Sequence, residues 1–246
     1  MRQKSANFDT EASTSDEYCT PRWFFAACNE LYGPYDLDVA ATDANHLCRR
    51  WFTKEDNALD PLPWRARVPS ARRAWNNCPY SKPNLDEFTA RARSEVLRGG
   101  AEKLPGIELV TCLIPMSTSA AWWHLNIERP EGRILATTTE ADHPLGSRTL
   151  VRSERLDIEV LRVRGRLTFA GPGTKGGARF HSALVTFARP GLLPSLTGRG
   201  RPVEFTEKQR LEVERLLAAG HSQSNACRLA GVNRRTWYRH KEKHHA

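Results

Sequence analysis

Residues 107–115 read Ile-Glu-Leu-Val-Thr-Cys-Leu-Ile-Pro, apolar nearly from end to end. A run this short and this apolar predicts a strand buried on both faces. Such a strand needs a layer above and below it, because each face must be covered. Candidate layers lie on either side in the sequence. The spacing predicts a helix over 85–97, stopped by Gly99-Gly100, and a further helix beginning near Ser117 that carries Trp122 and Trp123. The chain has 246 residues, enough for one α/β catalytic domain and a small appendage.

Upstream, residues 1–16 are polar and read as a loose N-terminal arm. A helix is predicted over 21–31, with Thr20 as its cap, Pro21 in its first position and Gly33-Pro34 as its stop. Residues 35–41, Tyr-Asp-Leu-Asp-Val-Ala-Ala, predict a short strand that ends in small residues. A loop or short helix leads on to Phe52. Pro61, Pro63 and Pro69 make the next stretch irregular, and Ala74-Trp75-Asn76 runs into Asn77-Cys78-Pro79-Tyr80. Downstream, residues 129–159 are polar and broken, and no element is assigned to them. Residues 160–169 alternate like a strand, 171–177 form a glycine-rich loop, and 182–187 form a returning strand. Together these predict a hairpin at the sheet edge. No internal repeat is present.

The net charge is +9, which favours polyanionic partners. From Gly198 onward eleven Lys and Arg face five Asp and Glu, so six of the nine net charges lie in the last fifth of the chain. No apolar run approaches the ~18 residues of a membrane span. The first residues, Met1-Arg2-Gln3-Lys4-Ser5, lack the apolar core of a signal peptide, so a cytoplasmic location is expected. The six cysteines, Cys19, Cys28, Cys48, Cys78, Cys112 and Cys227, are scattered. Free thiols are expected, and no metal site.

Asn77-Cys78-Pro79-Tyr80 has two readings. Asn and Pro are common turn residues, so a plain β-turn is one. The other is chemical. The exocyclic amine of adenine is a poor nucleophile, because its lone pair is delocalised into the ring. Two acceptors holding both N6 hydrogens localise that pair. The side-chain amide oxygen of Asn77 and the backbone carbonyl of Cys78 would be those acceptors. Pro79 would stiffen the turn, and Tyr80 would stack on a base that has left its duplex.

In this context the chain resembles the phage-type DNA N-6-adenine methyltransferases. Thr20-Pro21-Arg22-Trp23-Phe24-Phe25 is similar to the opening Thr-Pro segment of that family, and Leu37-Asp38-Val39-Ala40-Ala41-Thr42 to its cofactor strand. Phe52-Thr53-Lys54-Glu55-Asp56-Asn57-Ala58-Leu59 is similar to its second acidic segment, and Asn77-Cys78-Pro79-Tyr80-Ser81 to its Asn-Pro-Pro-Tyr-Ser loop. Leu113-Ile114-Pro115 with Trp122-Trp123 resembles the next strand and helix. Gly165-Arg166-Leu167-Thr168-Phe169 and Phe180-His181-Ser182-Ala183-Leu184 resemble the closing hairpin. The likeness covers about Thr20 to Phe187.

The resemblance implies a Rossmann-like α/β sheet flanked by helices, dependent on S-adenosylmethionine, over residues 17–189. It implies methyl transfer to a flipped-out adenine in double-stranded DNA, and a phage or prophage source. Asn77, Cys78, Pro79 and Tyr80 would be catalytic. Thr20, Pro21, Asp38, Ala40, Asp56 and Ala58 would hold the cofactor, the two carboxylates through charge-assisted hydrogen bonds. Cys78 departs from the family's proline, which keeps the carbonyl but loses one rigid residue.

Residues 190–204 read as a Pro- and Gly-rich linker, and 205–246 as a small all-α unit. Helices are predicted over 206–219 with Thr206 as cap, over 223–230, and over 233–243 after a Gly231-Val232 turn. The pattern resembles the helix-turn-helix of resolvases and transposase-like regulators. That likeness implies DNA contacts from Asn233, Arg234, Arg235, Tyr238, Arg239 and Lys241. No obligate protein partner is expected. A DNA-binding regulator with an inactive methyltransferase-like domain is the alternative. The same loop type also serves methyltransferases acting on cytosine N4, RNA bases or protein glutamine.

Overall fold

A computed structural model describes residues 14–98, 106–170, 178–194, 196, 207–220, 222–230, 232 and 237. In chain order its elements are α1 (Arg22–Tyr32), β1 (Leu37–Asp38), β2 (Arg50–Trp51), α2 (Trp64–Arg67), β3 (Arg73–Asn76), α3 (Asn84–Arg98) and β4 (Leu109–Pro115). Then come α4 (Ala121–Trp123), which continues as a π-helical turn over His124–Glu128, and β5 (Ile134–His143), β6 (Gly146–Ser153), β7 (Asp157–Val163) and β8 (Ser182–Ala188). The tail contributes α5 (Glu207–Ala218) and α6 (Gln223–Leu229).

The strands form one eight-stranded sheet, ordered β2-β1-β3-β4-β8-β7-β6-β5. The first four are parallel, and every pairing beyond β4 is antiparallel. The apolar run is the hinge between the two halves. Along β4, Val110, Cys112 and Ile114 face one core, which α3 covers with Leu85, Phe88, Ala92 and Val96. Leu109 and Leu113 face the other core, which α1 covers with Phe24, Cys28 and Tyr32. Burial on both faces explains the continuous apolar character.

Several expectations are corrected. Thr20 does not cap α1. Pro21 occupies the cap position with φ −60° and ψ 132°, no side-chain cap bond forms, and the Pro21 carbonyl accepts from Phe24 and Phe25. Of residues 35–41 only Leu37–Asp38 pair as a strand. The strand foreseen over 160–169 ends at Val163, and its hairpin with β8 is not at the edge, because β8 lies between β4 and β7. The edges are β2 and β5.

Residues 129–159 are not irregular. They hold β5, β6 and the start of β7. β5 is an edge strand exposed on both faces over most of its length, so it carries no apolar alternation. β6 does alternate, but its inward positions include Arg148, whose guanidinium is bonded to Glu159 at 2.5 and 3.0 Å and to Glu140 at 3.1 Å. The Tyr32 hydroxyl donates to the same Glu159, tying α1 to the antiparallel half. Between β5 and β6, Gly146 admits no side chain, since a Cβ would stand 1.8 Å from the Arg162 carbonyl oxygen.

α5 and α6 pack through Val213, Leu216, Ala226 and Cys227, with Val232 and Trp237 completing a small separate core. Of the helix foreseen over 233–243 only Trp237 is among the described residues, and the Thr206 cap and the loop 171–177 lie outside them. All six cysteines are free thiols, five of them buried. Among the described residues, no helix is long and apolar enough to cross a membrane.

Candidate active site

β1 pairs with β2 on one side and β3 on the other. The connections leaving the carboxyl ends of β1 and β3 therefore diverge, and open α/β sheets bind ligands in the crevice this creates. A cavity of about 870 Å³ lies there. Its walls are Asp38 to Asp43 after β1, Thr53 to Glu55 and Asn57 to Leu59 after β2, and Asn77 and Pro79 after β3. A fourth wall comes from Asp16 to Thr20, so the arm expected over residues 1–16 ends inside the site, at a 3-10 turn (Thr14–Glu17).

Asp38 is buried at the end of β1 and only 3% exposed. Its carboxylate accepts from the backbone N–H of Leu47 at 3.1 Å and of Ala40 at 3.4 Å. Burial outweighs these bonds and pushes its pKa up to about 6. Thr20, Ala40 and Ala58 also line the cavity, and Ala58 turns its carbonyl away to the Trp64 indole N–H at 2.7 Å. Pro21 is not part of the lining.

Asp56 is not part of it either. Its carboxylate accepts from the N–H and hydroxyl of Thr53 at 2.8 and 3.0 Å, closing the turn, and those bonds hold its pKa below the usual value. The neighbouring Glu55 and Lys54 line the cavity instead. The sequence shows two adjacent acids there, and only the turn geometry decides which one faces inward.

The Asn77 loop is held from three directions. The side-chain Nδ2 of Asn77 donates to the Tyr18 carbonyl at 2.7 Å. That bond fixes the amide orientation and leaves Oδ1 as the acceptor. The Tyr80 hydroxyl sits 2.8 Å from Asn77 Oδ1 and 3.1 Å from the Leu113 carbonyl. The Ser81 N–H donates to the Asp16 carboxylate at 2.8 Å. Cys78 buries its thiol in the core beneath, and burial pushes that thiol's pKa well up, so it is no nucleophile.

Tyr80 does not stand as a free stacking platform. Its ring packs edge-on against Tyr18, Phe169 and Phe180, with centroids 6.4, 6.1 and 5.5 Å away. Tyr18, which sequence reasoning passed over, stacks on Phe169 at 4.8 Å. Its only sequence signal is its place two residues before Thr20-Pro21. Asn233, Arg234, Arg235, Tyr238, Arg239 and Lys241 lie outside the described residues. No group of three or more His, Cys, Asp or Glu among the described residues is arranged to hold a metal.

Comparison with known proteins gives a consistent result. A family model for DNA N-6-adenine-methyltransferase (Dam) matches residues 7–191, somewhat more than the span of the resemblance. A DNA N-6-adenine-methyltransferase of Escherichia phage T1 is 30% identical over 122 residues, half of this chain and 44% of that protein. The protein named "Putative methyltransferase YfdM" of Escherichia coli (strain K12) is 36% identical over 81 residues, 32% of this chain and 86% of that protein. The chain thus spans less than half the length of the phage relative.

Proposed function

This chain belongs to the DNA N-6-adenine-methyltransferase (Dam) family, and on that premise we propose that it transfers a methyl group from S-adenosylmethionine to the N6 amine of adenine in DNA. One observation carries the reading. The Asn77 amide is locked by the Tyr18 carbonyl so that Oδ1 is its acceptor, at the rim of the cavity beside Asp38.

The lining suits the proposed cofactor. Among the described residues, two in the cavity lining carry buried polar atoms without a hydrogen-bond partner, the Thr20 hydroxyl and the Trp75 indole N–H. Such groups cost free energy unless a ligand satisfies them. Both can donate, and the Asp38 carboxylate accepts. S-adenosylmethionine presents a carboxylate for donors and amino and hydroxyl groups for an acceptor. The cavity volume is in the range of cofactor pockets, roughly 300–1,000 Å³. When bound, the cofactor supplies an electrophilic methyl group.

The chain's own residues position the nucleophile. Asn77 Oδ1 and the Cys78 carbonyl hold the two N6 hydrogens and draw the lone pair out of the ring, which is positioning and electrostatic work. Cys78 serves as well as proline would, because three hydrogen bonds from Tyr18, Tyr80 and Asp16 provide the rigidity a second proline gives by sterics. The two tail helices, with the basic segment after them, are proposed as a helix-turn-helix that raises the local DNA concentration.

The test is tritiated methyl transfer from S-adenosylmethionine to unmethylated DNA, followed by nucleoside analysis. N6-methyladenine is the expected product. Its absence from a protein that binds the cofactor sinks the reading.

A further inference from the structure

The β7–β8 ladder ends at Arg162 and Ala183, and the two segments run on past it as an extension held by a backbone bond. Leu161 faces Leu184 and Arg162 faces Ala183. Beyond them the Ala178 N–H donates to the Leu167 carbonyl at 2.9 Å, in the same register. Arg164, Arg166 and Arg179 lie on these two segments, beyond the paired residues. This extension rises past the carboxyl end of β4, since the Met116 N–H donates to the His181 carbonyl. It therefore stands at the end of the sheet that carries Asn77.

The extension has two different sides. Phe169 and Phe180 pack toward Tyr18 and Tyr80, and Ala170 exchanges two backbone hydrogen bonds with Cys19. That side backs Tyr18 and Cys19, which line the cavity. On the other side Arg164, Arg166 and Arg179 are exposed. Among the described residues none of the three forms a salt bridge. Three exposed guanidinium groups on the two segments give this side a positive charge that attracts an anion. Arg148, Arg152 and Arg133, by contrast, each pair with a carboxylate.

We propose that Arg164, Arg166 and Arg179 grip the phosphate backbone of the DNA whose adenine enters the site. The inference rests on the DNA methyltransferase reading. It places the backbone contact on the outer face of the same ladder whose inner face packs on Tyr80. Backbone contacts set register and orientation without reading bases, so these arginines are positioning residues.

The measurement is the salt dependence of binding of the full chain to an unmethylated DNA duplex, by fluorescence anisotropy. Each phosphate contact contributes about 0.9 to the slope of log K against log salt. Replacing Arg166→Gln and Arg179→Gln together is expected to lower the slope by about 1.8, and Arg164→Gln alone by about 0.9. The Arg166→Lys, Arg179→Lys pair is expected to restore the slope, because charge is retained. Arg133→Gln, at the opposite end of the sheet, is expected to leave it unchanged. Affinity for S-adenosylhomocysteine, by calorimetry, is expected to stay within about twofold in every variant that leaves the cavity intact. An unchanged slope in the double Gln variant overturns the assignment. So does an equal fall in Arg133→Gln, or, should the Gln pair not fold, an Arg164→Gln protein with the full slope. Wild-type chain that binds no duplex at any salt overturns the methyltransferase reading instead.

Discussion

Tyr80→Phe separates two roles for the aromatic residue of the active loop. The hydroxyl has one proton and two acceptors, Asn77 Oδ1 at 2.8 Å and the Leu113 carbonyl at 3.1 Å. Phenylalanine keeps the ring and its packing against Tyr18, Phe169 and Phe180, and removes only that proton donor. A buried neutral hydrogen bond contributes about 1–1.5 kcal/mol net. The Tyr18 carbonyl still holds Asn77 Nδ2, so the amide stays in place but loses one of its two restraints. A loss of about 1–1.5 kcal/mol in the transition state lowers kcat about five- to thirteenfold. The KM for DNA is expected to change little, because the hydroxyl is engaged with Asn77 and Leu113. A ring that served only to stack on the extruded adenine would predict no change, since phenylalanine stacks as well. Single-turnover methylation rates of wild type and Tyr80→Phe, with thermal denaturation in parallel, decide the matter. A wild-type rate in the folded variant refutes the idea that the hydroxyl positions Asn77.

Three further outcomes follow from the same contacts. Asn77→Ala removes the oriented acceptor and is expected to cost at least about 10²–10³ in methylation rate, while calorimetry finds cofactor affinity nearly intact; a variant with full rate would remove the loop from the chemistry. Burial raises Asp38 from an ordinary value near 3.8 to about 6, so its contribution to stability is full below pH 3.8 and is lost as pH rises through 6. An ionised Asp38 is the form that accepts from the cofactor, so affinity is expected to strengthen between pH 5 and 7 in wild type and not in Asp38→Asn; parallel profiles would discard this role. Arg148→Met leaves Glu159 buried without its partner and is expected to cost about 3–5 kcal/mol in urea unfolding, and a loss below 1 kcal/mol would show the pair to be dispensable.

The central strand and α3 were legible because their signals are local. The run 107–115 could only be a covered strand, and Gly99-Gly100 marked the end of α3, whereas β2, two residues long, carries no such signal. The antiparallel half was hidden by two long-range facts. β5 is exposed on both faces, so nothing in its composition separates it from loop. β6 places an arginine inward, a choice that only Glu140 and Glu159 make tolerable. In the site, Asn77 and Asp38 were readable from their order along the chain. The inward turn of Glu55 rather than Asp56, the unbonded hydroxyl of Thr20 among the described residues and the doubly bonded hydroxyl of Tyr80 depend on turn geometry and distant partners. Residue types alone carry no such information.

The strap formed by Asp16, Tyr18 and Cys19 has a consequence for how the protein is made and handled. Two of its bonds to the active loop join residues 59 and 65 positions apart, and Cys19 closes on Ala170 from much further along the chain. Contacts between distant residues form late, because the intervening chain must be closed first. During synthesis the loop can be in place long before its fastening is complete. Foldedness and competence are therefore separable here. Clipping the first twenty residues removes one of the two restraints on Asn77 and leaves the bond from the Tyr80 hydroxyl. A preparation so cut is expected to keep the sheet's own ladders while methyl transfer slows.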